Sequence, residues 1–186
     1  MIRVVEESAA RLAEYGTVPI AFWVRSRFRV EPVRGGLALV EERVAPYLKD
    51  YDSIRGEGPS CWSDTFDLSR WAVLSAFEGS RRVGGAVVAW NTPAVHMLEG
   101  RNDLAVLWDL RVHPEHRGLG IGHRLFDSAV AWARGRRCRS FKVETQNVNV
   151  PACRFYARRG CELGVIDFHA YGDVSDEVQL LWHMDL

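Results

Sequence analysis

The sequence predicts a mixed α/β fold on three observations. β-prone runs joined by short polar links fill the first half. Two amphipathic helical stretches, each closed by a glycine, alternate with β-prone runs in the second half. No stretch is repetitive or of low complexity. The order reads as an antiparallel first half followed by a β-α-β-α-β second half. At 186 residues the chain is the size of one domain, spanning residues 1–186.

Residues 4–15 place Leu12 and Ala9 at helical spacing ahead of Gly16, which predicts an opening helix. Residues 20–30 alternate polar and apolar from Val24 to Val30, as a strand with one wet face does. Residues 37–47 fit strand and helix equally. Residues 50–67 are rich in Asp, Glu, Gly, Ser and Pro, which predicts a mobile surface loop placed to act as a lid. Residues 71–77 and 83–90 flank Glu78-Gly79-Ser80 as a hairpin, and 104–112 is a further strand after Asn91-Thr92-Pro93. A helix follows over 121–134, where Leu125, Ala129 and Trp132 build one apolar stripe that Gly135 ends. Residues 141–145 read as a strand, 150–159 as a second helix closed by Gly160, and 178–184 as a final strand.

Composition narrows the function. Lys plus Arg equals Asp plus Glu at 24 each, so net charge gives no reason to expect a nucleic-acid or acidic-membrane partner. Hydrophobic residues at 47% and charged residues at 26% describe a globular chain, and no apolar run is long enough to cross a bilayer. The acidic opening Met1-Ile2-Arg3-Val4-Val5-Glu6-Glu7 is unlike a secretory signal, and a cytoplasmic location is the expectation. Cys61, Cys138, Cys153 and Cys161 form no C-x-x-C pair and read as small buried apolar residues.

The most informative segment runs from Leu110 to Gly122, between a strand and the N-terminus of an amphipathic helix. Glycines there let main-chain N–H groups approach one ligand closely, and a helix start adds unpaired amides and partial positive charge. Arg117-Gly118-Leu119-Gly120-Ile121-Gly122 is therefore a candidate phosphate cradle, with Arg117 and Arg124 adding charge. A P-loop is excluded because no Gly-Lys-Ser or Gly-Lys-Thr occurs. A dinucleotide fingerprint needs a third glycine where His123 stands, and five residues, His113 to Arg117, separate this loop from its strand. Glu144, on the next strand, keeps that rival reading open.

Arg-x-x-Gly-x-Gly at Arg117, Gly120 and Gly122 resembles the GNAT superfamily of acyl-CoA-dependent N-acyltransferases. So does Asn149-Val150-Pro151-Ala152-Cys153-Arg154-Phe155-Tyr156 through Gly160, which looks like that family's second segment. The resemblance implies a central mixed, mostly antiparallel sheet, splayed between two strands and flanked by helices. It implies acetyl-CoA as cosubstrate, with no metal. It places the pantetheine arm along Leu110-Arg111-Val112, paired through the main chain of Leu110 and Val112, and the diphosphate on residues 117–122. Asn149 and Tyr156 would also meet the coenzyme. Family members often dimerise, so a homodimer is the implied assembly.

Three candidates for catalysis follow. Tyr156 matches the family tyrosine that protonates the departing thiolate, and a phenol with a reference pKa near ~10 suits that task; the alternative is that it packs in the core beside Phe155. Asn149 suits a helix N-cap, with Pro151 tolerated in the first turn, and capping alone also explains it. An alkylammonium must lose a proton before attack, and Asp109 and Glu144 are the candidate bases. Strict alternation puts Asp109 on the face opposite Trp108, and a bulge reverses that count. His113, His116 and His123 match no standard metal-ligand spacing.

Residues 144–149, 45–49 and 164–167 are also similar to streptothricin acetyltransferases, which acetylate an amine in the β-lysine part of a cationic antibiotic. That implies a small cationic amine as acceptor, drawn by Glu57, Asp64 and Asp67. Where those enzymes carry a dense acidic run, this sequence has Gly58-Pro59-Ser60-Cys61-Trp62. Two other classes stay open: a protein or peptide N-acetyltransferase, and a non-catalytic acyl-CoA-binding module that would have no use for Tyr156.

Overall fold

The computed structural model describes residues 1–172 and 177–186. In chain order the elements are β1 (Ile2–Glu7), α1 (Leu12–Tyr15), β2 (Phe22–Val33), β3 (Gly36–Lys49), α2 (Trp62–Thr65), β4 (Ala72–Glu78), β5 (Arg81–Trp90), β6 (Leu104–Val112), α3 (Ile121–Gly135), β7 (Ser140–Gln146), α4 (Val150–Arg158), β8 (Glu162–Asp167) and β9 (Gln179–Asp185). The large, mostly antiparallel sheet follows the order β1-β4-β5-β6-β7-β9-β8, and β2 and β3 form a separate two-stranded sheet. The fold class is the expected mixed α/β one.

Packing divides the chain into two compact units. The first holds Met1–Ala21, Asp50–Lys142 and Asp185–Leu186; the second holds Phe22–Lys49 and Val143–Met184. In the first, β1, β4, β5 and β6 are successive antiparallel neighbours. α3 packs on β4, β5 and β6 through a buried stripe of Ile121, Leu125, Phe126, Ala129, Val130, Trp132 and Ala133. A second core of Leu12, Tyr15, Trp62, Trp71, Val73, Val87, Leu104 and Val106 forms around the side chains of α1 and α2.

Two adjacent glycines of β5 allow close approach on opposite faces. A Cβ on Gly84 would lie 2.9 Å from the Arg111 carbonyl oxygen and 3.2 Å from a Leu125 methyl, while one on Gly85 would lie 2.3 Å from the Tyr15 ring. These glycines pair with Val112 and Arg111 of β6. At these two positions the strand expected to receive the coenzyme is thus backed by a neighbour with no side chain to hold α3 or Tyr15 away.

In the second unit, β2 and β3 make a long hairpin, which settles the ambiguous residues 37–47 as strand. Asn147 ties it down: the Phe28 N–H donates to the Asn147 carbonyl at 2.9 Å, and Asn147 Nδ2 donates to the Phe28 carbonyl at 2.8 Å. β8 pairs antiparallel with β9.

Three expectations are corrected. Residues 4–15 are not one helix: Ile2–Glu7 is a strand paired with β4, and helix is confined to a 3-10 turn, capped by Ser8 Oγ, and one turn of α1. Residues 50–67 are not a loose loop: three short helical segments cross them, and Trp62 is buried in the aromatic core. The strand β8 was not read from the sequence. Gly135 is itself the last residue of α3, and the left-handed residue beyond it is Arg137 at φ 60°.

Candidate active site

β6 contains the bulge that decides where Asp109 points. Val87 pairs with Asp109 and Val88 with Leu107, so Trp108 is an extra residue. Before it, Leu104 and Val106 face the core around Tyr15. After it, Asp109 and Arg111 face the same way. Trp108 packs there too, with ring centroids 5.0 Å from Phe66, 5.3 Å from Trp71 and 6.3 Å from Trp62.

Arg111 is spent on that side. Its side chain is 1% exposed. Nε and Nη2 donate to Asp109 at 2.9 and 2.7 Å, Nη1 and Nη2 to Asp52 at 2.7 and 3.1 Å, and Nη1 also to the Val18 carbonyl at 3.1 Å. The Tyr15 hydroxyl donates to Asp109 Oδ1, and the guanidinium stacks 5.1 Å above the Tyr15 ring. Burial alone would lower the Arg111 pKa; the Asp109 charge and the bonds to Asp109 and Asp52 outweigh it and hold the group protonated. Burial, then the Asp109 charge, raises Tyr15 well above the usual phenol value. Asp109 is thus a buried partner of a cation and a phenol, its oxygens engaged by both. Leu110 and Val112, partly buried, lie between these inward side chains on the same strand.

The glycine loop leaves that strand through a 3-10 turn at Pro114–His116. Gly118 and Gly120 stand at φ 81° and 80°, the left-handed region that glycine enters at little cost. Gly120 is the N-cap of α3, and no side chain caps the helix. A Cβ at Gly118 or Gly120 would meet nothing within 4 Å. The first turn of α3 therefore offers main-chain N–H groups, at the positive end of the helix dipole, to open space, which fits a diphosphate. Leu119, between the glycines, is 69% exposed, whereas Ile121 is buried and anchors the helix to the sheet. Arg117 is more structural than expected: Nε donates to the Val112 carbonyl at 3.0 Å and Nη2 to the Ala21 carbonyl at 2.9 Å. Burial lowers its pKa.

The second unit carries the other three candidates. Glu144 Oε1 accepts from the Tyr171 hydroxyl at 2.6 Å and from Gln146 at 3.2 Å, and Oε2 accepts from Gln179 at 2.8 Å. These neutral donors orient the carboxylate. Asn149 caps α4, its side chain accepting from the Ala152 N–H at 3.2 Å. Tyr156 is 6% exposed two turns along, its ring edge-on to Phe155 at 5.1 Å. Cys153, between them, is buried against Thr145 Oγ1, and burial pushes its pKa up to about 11. It is a packing residue.

His113, Glu115 and His116 each place a ligand atom within 4.8 Å of the others. A cation already occupies that corner: Arg81 Nη2 lies 3.0 Å from Glu115 and 3.4 Å from His113 Nε2. His116 Nε2 faces Glu78 at 3.3 Å.

The model of the acetyltransferase (GNAT) family matches residues 38–161. The chain belongs to that family. A streptothricin acetyltransferase of Escherichia coli is 33% identical over 167 residues, 87% of this chain and 84% of the relative. Among solved structures, a Bacillus anthracis protein described as a streptothricin acetyltransferase, in complex with acetyl coenzyme A, has a TM-score of 0.79 and 25% identity, with each chain fully covered. A nourseothricin acetyltransferase shares the fold, with a TM-score of 0.76 at 24% identity, over 99% of this chain and 98% of that one.

The chain is thus an acetyl-CoA-dependent acyltransferase of the GNAT family. Sequence reasoning found this GNAT chain's glycine loop and missed the side chains behind it. Tyr15, Val18 and Asp52 reach Arg111 or Asp109 from 59 to 94 positions away. No local spacing signals such a network. The one available sign was an Asp-x-Arg pair inside an otherwise apolar strand, where buried charge demands partners.

Proposed function

We propose that this protein transfers the acetyl group of acetyl-CoA to a primary amine of a small cationic molecule of the streptothricin kind. The observation that carries the donor half is the uncapped start of α3, with Gly118 and Gly120 left-handed and open space in front of them. The relationship to the Escherichia coli streptothricin acetyltransferase supports the acceptor half.

In this reading the amides of residues 118–122 hold the diphosphate, and the main chain of Leu110 and Val112 aligns the pantetheine arm. The acceptor nitrogen attacks the thioester carbon; an amide C–N bond forms and the C–S bond breaks. A main-chain N–H steadies the oxyanion. Tyr156 gives its proton to the departing thiolate, and the ammonium proton leaves to Glu144 directly or through water. Asp109 takes no proton in this scheme: it holds Arg111. In the same reading the enzyme works in the cytoplasm as a homodimer, on a small-molecule amine and without a nucleic-acid or membrane partner.

A thiol-release assay tests this, with acetyl-CoA against streptothricin, aminoglycosides, polyamines and an N-terminal-alanine peptide. Turnover with streptothricin well above the peptide is expected, and Tyr156→Phe should lower kcat by roughly a hundredfold with acetyl-CoA affinity kept. Preference for the peptide would overturn the acceptor. Unchanged kcat in the phenylalanine variant would remove Tyr156 from the chemistry.

A further inference from the structure

Residues 51–71 hold the densest run of short helical turns in the first unit and are fixed at two points. One is Trp62, 5% exposed, against Tyr15, Trp71 and Trp108. The other is Asp52, on a 3-10 turn whose N-cap is Asp50; both of its carboxylate oxygens accept from Arg111. Between and beyond these anchors the segment exposes Glu57, Asp64 and Asp67, and the carboxylates of Glu57 and Asp64 make no ion pair among the described residues. It also brings Phe66 onto the partly exposed face of Trp108.

The charges are uneven. One guanidinium serves two carboxylates, so the cluster carries a net negative charge. Asp109 is sealed, with its side chain 6% exposed, while Asp52 is 26% exposed. Arg111 has partners besides Asp52 in Asp109, the Val18 carbonyl and the Tyr15 ring. Asp52 is thus the member whose loss removes one of the segment's two anchors while Arg111 retains its partners Asp109 and the Val18 carbonyl.

We propose that Asp52 is a positioning residue for the acceptor: its bond to Arg111 holds residues 51–67, with their free carboxylates and aromatic edge, where a cationic amine is received. Leu110 and Val112 are held by pairing with Ala86 and Gly84 of β5, in which Asp52 takes no part, so the acetyl donor should be unaffected. This rests on the acceptor reading above. The chemistry it supplies is fixed negative charge beside aromatic faces, which suits an alkylammonium.

The test compares wild type, Asp52→Asn and Asp52→Glu. Hydrogen exchange of amides in residues 51–57, on the Asp52 side of the Trp62 anchor, should quicken at least tenfold in Asp52→Asn, with β6 unchanged. The KM for streptothricin should rise fivefold or more, the KM for acetyl-CoA should stay within twofold, and Asp52→Glu should recover part of both effects. Equal rises in the two KM values, or unaltered exchange over 51–57, would overturn the role. If wild type releases no thiol with any cationic acceptor, the acceptor reading falls, and the exchange measurement alone decides whether Asp52 holds the segment.

Discussion

Arg111→Met removes the centre of the buried network while keeping much of the side chain's volume. In the native protein the guanidinium donates five bonds: two to Asp109, two to Asp52 and one to the Val18 carbonyl. The variant leaves Asp109, 6% exposed, with the Tyr15 hydroxyl as its one remaining side-chain partner among the described residues, whereas Asp52 at 26% exposure turns toward water. Stranding one buried charge costs about 3–5 kcal/mol, and the partly exposed carboxylate adds little. For a chain of this size that lowers Tm by roughly 6–20 °C. Urea unfolding monitored by tryptophan fluorescence measures it. Asp109→Leu in the same background should recover at least ~1 kcal/mol, because no buried unpaired charge then remains. A loss below ~1 kcal/mol in Arg111→Met, or additivity in the double variant, would refute the view that Arg111 and Asp109 act as one unit.

Gly85→Ala puts a methyl 2.3 Å from a Tyr15 ring carbon and 2.8 Å from the Leu74 carbonyl oxygen, and the ring is tethered by its hydroxyl. A loss of about 1–3 kcal/mol is expected in urea unfolding, and the modest stabilisation usual for Gly→Ala at a compatible site would contradict the packing. For the thiols, burial raises Cys153 to about 11 from an ordinary value of 9.0. The folded state holds that proton more tightly than the unfolded chain does, so this contribution to stability is complete below pH 9 and is lost as pH climbs from 9 toward 11. Its full size is about 3 kcal/mol, and Cys153→Ala should flatten the decline. Native protein at pH 7.5 should leave Cys153 unalkylated by iodoacetamide over a time that labels the half-buried Cys61; equal labelling would contradict it.

Legibility followed the range of the determining forces. α3, β6 and the hairpin of β4 and β5 were readable because their periodicity, glycines and turn residues are local. The N-terminal strand was not: Val4 and Val5 suit either state, and pairing with Ala76 and Ser75 of β4 decides for strand. β3 was ambiguous for the same reason until its partner β2 was in place. Residues 50–67 looked mobile by composition, yet Trp62 in their midst was a warning that something there is buried. In the site, main-chain amides need no particular side chain, so only the glycines that expose them left a trace at Gly118 and Gly120. The bulge at Trp108, which turns Asp109 and Arg111 inward together, left none.

The account depends on main-chain amides at the start of α3 gripping a diphosphate, and calorimetry of acetyl-CoA binding to wild type, Gly120→Ala and Gly120→Glu tests it most directly. Gly120 sits at φ 80° with nothing within 4 Å of an added Cβ. Alanine therefore brings backbone strain of about 1–2 kcal/mol but no obstruction. Glutamate adds to that strain a carboxylate roughly 5 Å from the phosphates, worth about 3 kcal/mol of repulsion at an effective dielectric of ~20. The prediction is that Gly120→Ala binds within roughly tenfold of wild type and Gly120→Glu at least a hundredfold more weakly than the alanine variant. Equal affinity of the two variants would contradict the claim.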